Sequence, residues 1–131
     1  MYDESKHTQV SGTAVAQSGA AGSTSTIQWL PEGTNATFTK VPKGKKLVLT
    51  DIILEPQGSV TANHTVNLAE KSAGGTRIFY QFNVGPGPTG QSHFHTGQVI
   101  VSGREVVAFT GAGTKAGQHI SLFANAYLAK A

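Results

Sequence analysis

His93 and His95 are the residues best spaced for metal chemistry. On a strand, residues i and i+2 point to one face, with their backbones roughly 6–7 Å apart. Two imidazoles so placed chelate a divalent ion when a third or fourth ligand converges on them. Without such ligands they line a solvated face or a subunit contact. Imidazoles there titrate near pH 6.5, so acidification from about 7.5 to 5.5 charges the contact and loosens it. The second outcome is the one expected, with no bound metal and no cofactor.

The carboxylates offer little acid–base chemistry. They are Asp3, Glu4, Glu32, Asp51, Glu55, Glu70 and Glu105, and no two have the spacing of a catalytic pair. Ser92, His93 and Asp51 include the residue types of a nucleophilic triad, but no G-x-S-x-G elbow surrounds the serine. The chain has no cysteine, which removes thiol nucleophiles, thiolate metal sites and disulfides. Gly85, Gly87 and Gly90 match G-x-G-x-x-G, and Gly111, Gly113 and Ala116 nearly do. A dinucleotide fingerprint needs a helix after the glycines to receive the pyrophosphate. A strand-like run follows instead, and Pro86 and Pro88 stiffen the first loop, so both read as hairpin loops. The chain is expected not to be an enzyme.

Binding chemistry has two candidate sets. Trp29, Tyr80 and Tyr127 supply aromatic faces of the kind that stack on sugar rings. Lys43 and Lys45, flanked by Lys40 and Lys46, crowd a turn at Val41, Pro42 and Gly44. Such a knuckle contacts an acidic partner or guards an edge strand from pairing. The net charge of +3 is too small to argue for direct nucleic-acid contact. No apolar run approaches the roughly 18 residues of a membrane span, so no membrane partner is expected. Met1 to Val10 lacks the apolar core of a secretory signal.

Strands must position these side chains. The chain has 131 residues, a length that suits one domain. Charged residues make up 13%, against a usual figure of about 25%. Gly, Ser and Thr together supply 41 residues, a composition poor in helix formers and rich in turn and strand formers. A coiled coil or helical bundle is therefore excluded, and 38% hydrophobic content excludes wholesale disorder. Period-two alternation predicts strands at 24–30, 37–41, 46–55, 60–70, 77–84, 92–101, 105–110 and 118–128. In the third, Leu47, Leu49 and Ile53 fall on one face, with Val48, Ile52 and Leu54 on the other. In the fifth, Ile78, Tyr80, Phe82 and Val84 share a face. Turn residues fill the gaps. The pattern predicts an all-β, antiparallel β-sandwich of jelly-roll type. Residues 11–26 are small and uncharged, which suits an extended arm held by its own sheet or by a neighbouring subunit, with a part in assembly expected. The expected organisation is an arm over 1–26 and a sandwich over 27–131.

Two resemblances add to this reading. Gly90 followed by His93-x-His95 on a strand resembles the first half of a cupin motif, and His119 with Asn125 resembles its second half. The resemblance implies a metal-dependent enzyme with His93, His95 and His119 as ligands. Cupins also place a Glu shortly after the second His, whereas Gln98 stands nearest that place here. The stretch from Phe38 to Ile53, including V-P-K-G-K-K-L-V-L-T-D-I, is similar to a hairpin in small jelly-roll-like β-sandwich proteins of phages and bacteria. That likeness implies architecture. With the composition and the arm, the expected function is a structural assembly protein, a capsid decoration or tail component on the virion surface. Its expected partners are copies of itself, a trimer favoured, and other capsid subunits. The alternatives are a glycan-binding module outside the cell or at its surface, and the cupin-like enzyme.

Overall fold

A computed structural model describes residues 7–17, 24–56, 63–84, 92–110 and 119–131. Ten strands are described. They are β1 (Thr8–Gln17), β2 (Ser25–Thr26), β3 (Gln28–Pro31), β4 (Lys45–Pro56), β5 (His64–Ser72), β6 (Gly75–Val84), β7 (Ser92–His95), β8 (Val99–Ile100), β9 (Glu105–Thr110) and β10 (His119–Lys130). No helix occurs among the described residues. One sheet runs β3-β1-β10-β4, with β7 and β8 both paired to β4; the other runs β2-β9-β5-β6. All pairings are antiparallel. Successive strands change sheet at β1–β2, β2–β3, β4–β5, β6–β7, β8–β9 and β9–β10. That crossing pattern is the jelly-roll sandwich expected from the turn spacing.

Alternation builds the core. β4 turns Leu47, Leu49, Ile52 and Leu54 inward, and β10 adds Ile120, Leu122, Ala124 and Ala126. The second sheet answers with Val66, Leu68, Phe82, Val84, Val106 and Ala108, so one apolar cluster fills the space between sheets. Each fully buried Leu, Ile or Val there contributes about 1.5–3 kcal/mol by leaving water. Ile27 sits where the chain crosses from β2 to β3. It is fully buried, and its N–H donates to the Val106 carbonyl at 2.8 Å. Tyr80 pins the sheets from one edge. Its ring stacks on Phe82, and its hydroxyl accepts from Thr96 Oγ1 at 2.9 Å.

Four expectations are corrected. The first is the phase of β4. Asp51 pairs with Asn125 but Leu49 pairs with Ala126, so Thr50 is an extra residue, a bulge. One extra residue inverts the inward parity, which is why Ile52 and Leu54 join Leu47 and Leu49 inside while Ile53 and Val48 face out. Thr50 Oγ1 donates to the Asn125 carbonyl at 3.0 Å and steadies the bulge. The second is β6, where Phe79 is the extra residue between the pairs Leu68–Tyr80 and Ala69–Ile78. Ile78 therefore leaves the inward set of Tyr80, Phe82 and Val84, and is 45% exposed. The third is the strand at 37–41. That segment makes only isolated bridges, Trp29 with Phe38 and Lys40 with Glu105.

The fourth is the boundary between an arm and a sandwich at residues 26 and 27. β1 lies inside the first sheet, paired over ten residues with β10 and on its other side with β3. Val10 belongs to the core cluster. The ladder hydrogen bonds of two neighbours hold this segment, and they ask only for backbone, which small residues supply as well as large ones.

Candidate assembly surface

Side chains directly opposite on paired strands share a face, so the ladder maps the outer surface of the first sheet. One row reads Gln28, Thr13, Phe123 and Ile53; the next reads Leu30, Ser11, Asn125 and Asp51; a third reads Gln9, Tyr127, Val48 and Val99. Val15 stands opposite Ser121. Val15, Leu30, Val99 and Phe123 are exposed, while Val48, Ile53 and Tyr127 are half-buried. Neither β1 nor β3 contains a charged residue. Charge appears on the β4 side, at Lys46, Asp51 and Glu55. The face is thus uncharged on one flank, where Val15 and Leu30 stand among Gln9, Ser11, Thr13 and Gln28, and charged on the other.

At one end of this face the His7 ring stacks on Tyr127, with centroids 4.6 Å apart and planes 27° apart. The two rings border a shallow depression of about 540 Å³ with Lys46, Val48, Gly97 and Val99.

The residues singled out by sequence scatter across the fold. Trp29 is fully buried beneath β1, Tyr80 sits between the sheets at an edge, and Tyr127 lies on the outer face. They do not form the sugar-stacking platform, because a ring without exposed surface cannot receive a ligand. Lys43 and Lys45 are exposed at the turn before β4. There the Lys45 N–H donates to the Pro42 carbonyl at 3.1 Å, and Gly44 takes a φ of 79°, which only glycine adopts without strain.

His93 and His95 lie on β7 as expected, opposite Ile53 and Asp51; their side chains fall outside the described part. His119 does not join them. It pairs with Gln17 of β1, two strands and four residues away from His93 on the ladder, roughly 16 Å by strand geometry. The third ligand implied by the cupin resemblance is therefore absent from this spot. Among the described residues no three His, Asp or Glu side chains gather in a way that could hold a metal. Asp51 stands opposite His95 rather than His93, so the Ser92-His93-Asp51 set is not assembled in that order. The glycine motifs at 85–90 and 111–116 lie outside the described residues.

Sequence reading passed over Phe123, Val15 and Leu30. Their signal was present in the register: each falls on the outward parity of a strand whose inward residues are buried.

Neither a family model nor a curated protein matches the chain. Among solved structures, it is similar to murine APRIL in the pH 8.0 crystal structure, at 14% identity and a TM-score of 0.45. The pH 5.0 structure of the same protein gives 11% and 0.43, and the pH 8.5 structure gives 12% and 0.45. Each match covers 91% of this chain and 99% of the other. Identities and TM-scores this low assign neither partner nor activity.

Proposed function

We propose that the protein is a non-enzymatic structural component that assembles through the outer face of its first sheet, with a second copy of itself as the occupant. The observation that carries this reading is the exposure of Val15, Leu30, Val99 and Phe123 on one face, whose β1 and β3 flank has no charge. On a molecule of net charge +3, a neutral flank is where two copies meet without repulsion. The size also fits. Four strand spacings and the length of β10 give roughly 19 by 37 Å, about 700 Å² in projection, near the ~800 Å² per partner of a standard interface. Where the uncharged flank of one copy meets the charged flank of the next, the contact is head-to-tail, and such a contact forms a ring when its rotation closes. A trimer is the smallest such ring and the form we favour.

The setting we favour is the surface of a virion, as a capsid decoration or tail protein alongside other capsid subunits. The Gly/Ser/Thr-rich composition and the sequence likeness of the Phe38–Ile53 stretch support it. Jelly rolls recur as virion building blocks, which is an argument from fold.

Sedimentation velocity between roughly 5 and 100 μM tests the assembly, a range that brackets micromolar affinity. The wild-type chain should sediment as a trimer, and Phe123→Glu as a monomer with an unchanged circular dichroism spectrum. A wild-type monomer across the range, or an unaltered Phe123→Glu assembly, would overturn the reading. Immunogold electron microscopy of lysates from the source organism tests the setting: label on particle surfaces supports it, and label confined elsewhere refutes it.

A further inference from the structure

The far end of the second sheet holds a cluster that the assembly face does not use. Ala73 and Gly74 turn the chain between β5 and β6, and the register then sets Glu70 opposite Arg77. On its other side Glu70 faces Val106 of β9, on the core side of the sheet, and it is only 4% exposed. A carboxylate buried that far requires charged or hydrogen-bonding partners. Arg104 Nη1 donates to Glu70 Oε1 at 3.0 Å, and Arg77 Nη2 forms an ion pair with the same oxygen, also at 3.0 Å.

The two guanidiniums are held by a buried anchor yet remain reachable, at 73% exposed for Arg77 and 41% for Arg104. A guanidinium carries five N–H donors in one plane. Among the described residues, Glu70 is the side chain that each of these two groups bonds. Two cations against one carboxylate leave a net positive charge and a set of unused donors. These border an open cleft of about 390 Å³, completed by Ser72, Gly74, Gly75 and Thr76. Glu70 is the sole acid in that lining. An adjoining cleft shares Ser72 and adds Lys40 and Lys71 with Glu105, so the approach is also positive and attracts anions from solution.

We propose that this cleft is a binding site for a small oxyanion, a carboxylate or phosphate group borne on a molecule of about monosaccharide size, gripped by Arg77 and Arg104. The planar fork of arginine matches the paired oxygens of either group, which a lysine ammonium does not. The volume sits at the lower end of the ~300–1,000 Å³ range of small-molecule sites. The site lies on the opposite sheet from the assembly face and stands or falls without it.

The test is a titration of the full chain, followed by amide NMR shifts and calorimetry at ~20 mM ionic strength, where screening is weak. Glucuronate and inorganic phosphate are the two probes, and whichever binds tighter identifies the oxyanion. Saturable shifts centred on residues 70–77 and 104 are expected. Arg77→Gln should weaken binding at least about tenfold, as loss of a bidentate charged contact does. Lys130→Gln, which removes the same charge from an exposed site elsewhere, should weaken it less than about twofold. Shifts that fail to saturate with both probes would overturn the site. So would an Arg77→Gln chain that binds like wild type, or a Lys130→Gln loss equal to that of Arg77→Gln.

Discussion

β1 and β6 are both ten residues long, and their sequences suggest opposite fates. β1 reads Thr-Gln-Val-Ser-Gly-Thr-Ala-Val-Ala-Gln, with nothing larger than valine among its apolar residues. β6 carries Ile78, Phe79, Tyr80 and Phe82. Yet β1 lies between two partners inside the first sheet, whereas β6 is the outermost strand of the second and exposes Gly75 to Ile78. The reason is volume. Gly12 of β1 leaves a slot that the fully buried Trp29 fills: a Cβ at Gly12 would stand 2.5 Å from Trp29 Cζ3 and 2.7 Å from Ile27 Cγ2. The strand's smallness is what lets the largest side chain of the molecule enter the core. A strand's place thus follows from the fit of its neighbours more than from its own hydrophobicity.

The comparison breaks hardest at β1. Removing residues 1–17 strips two ladders and uncovers Trp29, so the shortened chain should lose its cooperative urea transition altogether, since domain stabilities are only about 5–15 kcal/mol. A native-like β spectrum with a sharp transition would show that β1 is the dispensable arm its composition suggests. Gly12→Ala is the finer cut. Overpacking against Trp29 should cost about 1–3 kcal/mol in urea unfolding, and Trp29→Phe in the same chain should recover part of it through coupling. Additive losses would mean that the two positions do not share a slot. The smallest effect belongs to β6, where Ile78→Thr should change stability by less than about 0.5 kcal/mol. A larger loss would place Ile78 in the core and remove the bulge at Phe79 from the account.

Most strands were legible because alternation and turn residues agree: β4, β5, β9 and β10 lie close to where the period-two pattern predicts them. What alternation cannot show is a change of phase. Thr50 and Phe79 each add one residue, and beyond each of them the inward set inferred from sequence is inverted. β1 was misread because Gly and Ala carry no burial signal of their own; the partner that explains them, Trp29, is on another strand. At the cleft beside Arg77 and Arg104, Glu70 and Arg77 could have been paired by counting outward from Ala73 and Gly74. Arg104 could not, since it arrives from the turn between β8 and β9, 34 residues away in the chain. The outer face was hidden for the same reason: its rows run across strands that are distant in sequence.

The bulge at Phe79 has a consequence for how the protein avoids growing without limit. An outermost strand offers unpaired N–H and C=O groups, and a flat one templates another chain edge to edge. A bulge bends and twists its strand, which spoils the straight hydrogen-bonding rail that a docking strand requires. Arg77, two residues before it and largely exposed, sets a charge beside the same rail. β6 is therefore a poor seed for fibrils although it carries the molecule's richest aromatic run. In the assembly proposed above, copies meet through the first sheet while this edge stays unsuited to joining.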